Sequence, residues 1–558
     1  MIGRRAPALA PTDLPVLFLL CSALAAVWPA FDRASGWRGA AAVAAGALVY
    51  AAASRLRAAG PAWRALGGAS VVAGAALGAY FIFQFPRLGY AEKSAVVERA
   101  AAWLGSGAPA FGHWAPDRNS VATCLEGLVF LGVALASTRK GRLARVLWGA
   151  AVAIAAAAIA LSASRGAALA VAAAGTVWAA MRLKPVAARP ALASFLVALP
   201  LLSGLVWLAA VVWEPGAAAG LETVSPALDR PDRVALYQQS AWLIRDAPFT
   251  GIGIGSQFAM SLSRYALLIQ VPFLTYSHNL YLETWLELGL AGAAALVWLV
   301  AAYAAGFKAI PQIRHGALAQ GAGCGVLAVL LHGLVDARPF VDSWSGLPAF
   351  VLLGLFASAV SAAETPPMRR RRRRVSAAAV CGFILCALIA VRPAASSWHA
   401  NLGAVAQATA ELSADASDAE RRTALQEAER RFHQALGGVP EQVTANLRLA
   451  LIDMDDGRFA LAVTRAETAW RGAPNTLRTR KAFGLASMWT GDLDRARVLL
   501  ESVPGIVAEL NAWGWWRQDR QEPSLALRAY RTSLLLDPGQ TDVRRAAESL
   551  ARAASGDR

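Results

Sequence analysis

Charged side chains are scarce in this sequence: Asp, Glu, Lys and Arg together make up 16% of its 558 residues, against about 25% in soluble chains. With a 56% apolar share and a mean hydropathy of +0.42, that scarcity excludes an ordinary soluble enzyme. Cysteine is sparse too, and all five (Cys21, Cys124, Cys324, Cys381 and Cys386) fall inside apolar runs. They form neither a disulfide framework nor a zinc-type spacing. Of the six histidines, His113, His315, His399 and His433 lack any neighbouring constellation and read as structural, which leaves His278 and His332 for chemistry. No convincing small-residue cleavage site follows the first apolar run, so the first helix is expected to remain in place.

Long apolar runs are abundant. Eleven are read, at about 14–30, 37–53, 65–85, 120–137, 143–161, 166–181, 191–213, 286–307, 316–335, 344–363 and 375–391. Most are long enough to cross about 30 Å of hydrocarbon as a helix. The expected architecture is therefore all-α: a polytopic membrane part over residues 1–394, followed by a charged, helix-forming stretch. Charge sets the orientation. With the N-terminus in the cytoplasm, the inner loops carry 20 basic residues, including the run Arg369 to Arg374, against the two acids Asp13 and Glu364. That imbalance follows the positive-inside rule and sends the C-terminal stretch to the periplasm, outside a multi-pass inner-membrane protein. The net charge of +17 does not point to nucleic acid, because 21 Lys plus Arg balance 21 Asp plus Glu from Asn401 onward.

The C-terminal stretch, about 400–552, repeats. Ala428, Ala462 and Ala496 are spaced by 34 residues and Ala526 follows; Pro440, Pro474 and Pro538 each come 12 residues after one of these alanines, and Gly457 and Gly491 five before two of them. This resembles the tetratricopeptide repeat, an α-solenoid of helical hairpins in which glycine permits the turn and small alanines let the helices cross closely. The resemblance implies a concave surface for a protein partner; a helical spacer is the competing reading. Trp513, Trp515 and Trp516 read as repeat core and edge rather than as a sugar platform.

Candidate chemistry lies in the largest exported loop, about 214–285, and at span ends on the same side. Arg233 opens an amphipathic helix in the stretch that begins at Asp229, and the glycines of Pro248 to Phe258 read as a sharp bend, not a nucleotide loop, since no βαβ pattern surrounds them. His278-Asn279 is followed by nine residues and then by Gly289-x-x-Gly292 at the entrance to a span, while Leu161-Ser-Ala-Ser-Arg165-Gly166 lies at the outer end of the fifth and sixth spans. In this order, over about 120–360, these stretches resemble the O-antigen ligase and polymerase family. Its members are membrane glycosyltransferases that act on polyprenyl-diphosphate-linked glycans.

The resemblance implies en bloc transfer of that glycan to a hydroxyl of a lipid A core or of another lipid-linked unit. A protein side chain (O-oligosaccharyltransferase) is the alternative acceptor, and a non-enzymatic polysaccharide-export scaffold the alternative class. The residue types suit the chemistry. Guanidinium groups bind phosphate oxygens in bidentate fashion, which fits Arg165 and Arg233, with Arg87 and Arg338 as further candidates. His278 is the expected base, and Arg233 is expected to share in catalysis by stabilising the departing diphosphate. Asn279, His332 and Asp336 are expected to support the site, and no metal or other cofactor is expected. Each has a bland counterpart: His278 and Asn279 as a helix cap, Arg165 snorkelling to headgroups, Arg233 paired with Asp229, His332 and Asp336 satisfying each other. Glu126 lies inside a span, where an ionisable group is costly. Glu283 and Glu287 read as a solvated helix face.

Overall fold

A computed structural model describes residues 9–85, 114–182, 233–269, 274–307, 316–337 and 344–555. Among the described residues the protein has 21 α-helices and no strand. The first six are α1 (Asp13–Ala25), α2 (Arg33–Ser54), α3 (Pro61–Gln84), α4 (Arg118–Thr138), α5 (Arg142–Ser162) and α6 (Arg165–Arg182). Then come α7 (Arg233–Asp246), the short α8 (Phe258–Ser261) running into a π-helical turn at Leu262–Leu267, α9 (Leu280–Phe307), α10 (Gly316–His332), α11 (Leu347–Ala363) and α12 (Pro366–Ala390).

Helices overlie ten of the eleven apolar segments; the segment 191–213 lies outside the described residues. By length and composition α3, α4, α5, α9 and α12 can cross a membrane, while α1, α10 and α11 are shorter apolar helices. At 1.5 Å per residue, the 24 residues of α3 reach about 36 Å. α4 is the most enclosed of these five, whereas α5 and α12 turn most of their surface outward.

Small residues determine how α4 meets α10. A Cβ on Gly325 would lie 2.6 Å from the Gly127 carbonyl oxygen, and one on Gly321 2.7 Å from that of Phe130. The two backbones therefore touch, the packing that small residues allow between apolar helices. Because Phe130 pairs with Gly321 and Gly127 with Gly325, the helices run antiparallel, which brings the start of α4 to the end of α10. The cap at the start of α4 comes from Asp117, whose side chain accepts from the Asn119 and Ser120 amides.

From α13 (Ala394–Leu412) and α14 (Asp418–Gly438) onward the chain forms successive helical hairpins. These are α15 (Val443–Asp455) with α16 (Phe459–Gly472), α17 (Leu477–Thr490) with α18 (Leu493–Leu500), and α19 (Ile506–Asp519) with α20 (Pro523–Leu536), closed by α21 (Thr541–Ser555). The periodic alanines Ala428, Ala462, Ala496 and Ala526 all lie on the second helix of a hairpin and are fully buried. Gly457 and Gly491 take positive φ (75° and 97°) at the turns between paired helices. Trp513 and Trp516 pack edge-on to one another at 5.3 Å, whereas Trp515 is 64% exposed.

Candidate functional site

The end of α10 and the turn that follows, His332 to Asp336, are where the candidate segments converge. His332 Nδ1 lies 2.8 Å from Glu126 Oε2, and neither side chain is more than 3% exposed. Thr123 Oγ1, one turn before Glu126, lies 3.5 Å from the same nitrogen; Ser164 Oγ lies 3.5 Å from Nε2. Glu126, an ionisable group inside a long apolar helix, thus has its partner on another apolar helix. A buried charged group is tolerated where an opposite partner meets it. His332 is paired with Glu126, while Asp336 sits buried one turn on, its amide donating to the His332 carbonyl.

Arg165 starts α6 directly after Ser164 and is exposed. Its neighbour Gly166 faces the imidazole: a Cβ there would stand 2.8 Å from His332 Cδ2 and 2.7 Å from Val335 Cγ2. Arg233, also exposed, starts α7 and donates from Nη1 to the Val335 carbonyl at 2.8 Å. One turn along α7, the Tyr237 hydroxyl donates to the carbonyls of His278 (3.1 Å) and Leu334 (3.3 Å). Burial pushes the Tyr237 phenol up from its ordinary range, so it remains a donor.

His278 and Asn279 lie against the same turn. Asn279 caps α9, its Oδ1 accepting from the Tyr281 and Leu282 amides at 3.0 Å, while its Nδ2 donates to the Leu334 carbonyl at 2.9 Å. His278 is half-buried, has a left-handed backbone (φ 55°), and lies tilted by 40° against the Tyr276 ring with centroids 4.0 Å apart. Asn279 therefore makes the cap, and the His278 imidazole is not spent on it. The Leu280 amide, bonded to the Gly333 carbonyl at 2.7 Å, ties the two segments together.

The solvated helix face expected for Glu283 and Glu287 is not found: both are buried, at 1% and 3% exposure. Loops cover the first turns of α9. The Ser277 amide donates to Glu283 Oε2 at 2.7 Å, and the glycine segment crosses beside Glu287. Gly251, Gly253 and Gly255 all have positive φ, and a Cβ on Gly251 would lie 2.6 Å from the carbonyls of Leu286 and Glu287. Their backbone packs on protein, at α9 and the α1–α2 turn, and leaves no cradle for a phosphate. Arg87, Arg338 and Asp229 lie outside the described residues.

Beside this cluster, a partly open apolar cleft lies among α1, α2, α9, α10 and α11. Its lining includes Leu280, next to Asn279, and Leu330, two residues before His332, and extends along α9 to Tyr303. Two features escaped the sequence reading. One is the link between Glu126 and His332, whose only trace is an acid inside one apolar run and a histidine near the end of another. The other is Tyr237, which only its i+4 spacing from Arg233 could have flagged.

Residues 150–297 match the family model described as O-Antigen ligase, about a quarter of the chain. The match contains Arg165, Arg233, His278 and Asn279, and ends before His332. No curated protein matches the chain. The matched family supports ligase-type glycan transfer and, with the apolar helices, points to an integral membrane protein.

Proposed function

We propose that the protein transfers a polyprenyl-diphosphate-linked glycan en bloc to a hydroxyl acceptor at the periplasmic face of the inner membrane. The N-terminus lies in the cytoplasm, and tetratricopeptide-like hairpins after about residue 400 lie in the periplasm. The observation that carries this reading is the convergence on one turn, His332–Asp336, of the Arg233 side chain, of Gly166 next to Arg165, and, through Tyr237, of the His278 backbone, beside an apolar cleft. The exposed guanidinium groups suit the two phosphates, and the apolar lining of the open cleft offers an isoprenoid tail a surface to lie against.

In the step itself, the acceptor oxygen attacks the anomeric carbon and its proton passes to the His278 imidazole. The bond from the anomeric carbon to the diphosphate oxygen breaks, and its electron pair leaves with the polyprenyl diphosphate. Arg165 and Arg233 offset the charge developing there, a role that fixed guanidinium groups perform without a metal or other cofactor. Arg87 and Arg338 remain candidates for further phosphate contacts, and Asn279, His332 and Asp336 hold the turn against which the reacting groups stand.

The acceptor proposed first is the lipid A core, in keeping with a ligase. A deletion strain, assayed for lipopolysaccharide length and for accumulated lipid-linked glycan, tests this. Ligase loss leaves long chains on the carrier, and polymerase loss leaves single units on lipopolysaccharide. Unglycosylated protein with normal lipopolysaccharide would indicate a protein acceptor, and no change in any glycan would refute the reading.

A further inference from the structure

Asp246 is the last residue of α7, where the helix dipole disfavours a negative charge, so nothing in the helix itself calls for an acid there. Its carboxylate is fully buried and accepts from three side chains of the C-terminal hairpins. Arg448 donates from Nε (3.1 Å) and Nη2 (2.8 Å), Arg478 from Nη1 (2.8 Å) and Nη2 (3.0 Å), and Thr444 from Oγ1 (2.9 Å). Both arginines are only 3% exposed. Burial alone would raise the Asp246 pKa, but the guanidinium groups of Arg478 and Arg448 hold it below the ordinary carboxylate range.

Other contacts extend this grip along the same loop. The Arg448 guanidinium lies 3.5 Å from the centre of the Tyr265 ring, and Lys481 donates to the Leu267 carbonyl at 2.9 Å. Arg264 reaches Glu411 at 2.8 Å, and Asn401 Oδ1 accepts from the Phe249 and Thr250 amides at 2.9 and 3.2 Å. Residues of α13, α15 and α17 thus close on 246–267 from one side, while the other end of α7 presents Arg233 and Tyr237 to the turn at Val335. Arg233 and Asp246 are about 20 Å apart along the helix. A helix held at its far end by charge-assisted bonds can place its near end closely, and a misplacement of about 1 Å is enough to cost about 10²-fold in rate.

We propose that Asp246 is a positioning residue for glycan transfer, and that the C-terminal hairpins act as a clamp in cis that sets where α7 presents Arg233. The inference rests on the glycan-transfer reading for its effect on rate, but not for its effect on α7. It also assigns the α15 and α17 surface around Asp246 to this chain's own loop, so that any protein partner docks elsewhere on the hairpins.

The test uses the full-length protein in lipid nanodiscs, as wild type, Asp246→Asn, Arg478→Gln and Arg233→Ala, and as the double variant Asp246→Asn/Arg233→Ala. Hydrogen exchange over 233–246 should quicken about tenfold or more in Asp246→Asn, with the spans and α19–α20 unchanged. Turnover at saturating donor should fall about tenfold, while Asp246→Asn should add less than about twofold to the loss in Arg233→Ala, because the two act through one contact. Should Asp246→Asn not be recovered folded, Arg478→Gln, which leaves Arg448 on the carboxylate, decides by the same two readouts with smaller shifts. Wild-type exchange over 233–246 in the variants would overturn the clamp, as would a rate loss that multiplies fully with that of Arg233→Ala. An inactive wild-type enzyme would overturn the proposed reaction instead, and the exchange measurement would still decide the clamp.

Discussion

The Glu126–His332 pair allows a test in which magnitude separates two descriptions of the site. Replacing Glu126 with Leu leaves the His332 ring facing a spent position, and replacing His332 with Leu does the same to the carboxylate; replacing both leaves two apolar side chains in contact. If the pair is a neutral hydrogen bond between membrane helices, the coupling measured by this cycle should be near 0.6 kcal/mol, the average for such bonds. A charged pair predicts more. Nδ1 and Oε2 lie only 2.8 Å apart, and the pair has 3% exposure on one side and none on the other, so an ionised pair would interact out of reach of water. Removing one member of a buried ion pair destabilises by about 3–5 kcal/mol, mostly because the other is stranded, so the double variant should recover about 2 kcal/mol or more relative to the sum of the singles. The assay is reversible unfolding of purified protein in detergent micelles, with glycan transfer measured on the same samples. Because His332 abuts Gly166 and Ser164, next to Arg165, each single variant should also lose transfer. Coupling at or below about 0.6 kcal/mol would refute the charged description.

Three further outcomes are expected. His278→Ala should lower transfer by about 10²- to 10⁴-fold with unchanged abundance and melting; His278→Asn, which tolerates the left-handed backbone, should be equally inactive, and an active Asn variant would exclude the imidazole as the base. Gly166→Ala should destabilise by about 1–3 kcal/mol and reduce transfer, since its methyl group would meet His332 Cδ2 at 2.8 Å and Val335 Cγ2 at 2.7 Å; wild-type melting and activity would show that the turn gives way easily. Reporter fusions after Gln84, Leu221 and Asn401 should read periplasmic, and those after Arg142 and Arg372 cytoplasmic; a cytoplasmic reading at Leu221 would put the loop that leads into Arg233 on the wrong side for the proposed donor.

The apolar runs and the alanine period were legible because each is a one-dimensional signal. A helix that faces lipid is apolar all round, and a hairpin whose helices touch keeps a small residue at one recurring position, as Ala428, Ala462 and Ala496 do. The candidate residues Arg165, Arg233, Asn279 and His278 were legible only as local motifs, because their convergence depends on contacts between distant segments, such as Arg233 with Val335 and Asn279 with Leu334, that leave no local signature. Glu283 and Glu287 were misread for the same reason. Two acids on successive turns look solvated until the Ser277 amide and the Gly251–Gly255 segment are known to lie over them. Asp246 gave no signal either, because its partners lie 198 to 232 residues away.

The use of charge at that contact has a physical rationale beside a membrane. A loop docked only by apolar side chains would have a competing destination, since hydrocarbon receives Trp242 or Tyr265 almost as well as protein does. A buried carboxylate has no such alternative, because its five bonds to Thr444, Arg448 and Arg478 cannot be replaced by lipid. The desolvation of three charged groups offsets much of what those bonds contribute, so the cluster adds little to overall stability. What it supplies is discrimination: α7 has one docked position in which Asp246 is satisfied, and in that position Arg233 meets Val335. Any displacement of the helix toward the bilayer leaves a carboxylate and two guanidinium groups unpaired, which penalises misplacement more steeply than apolar contact could. The arginine proposed to face the diphosphate is thereby kept from following its own apolar neighbours into the lipid.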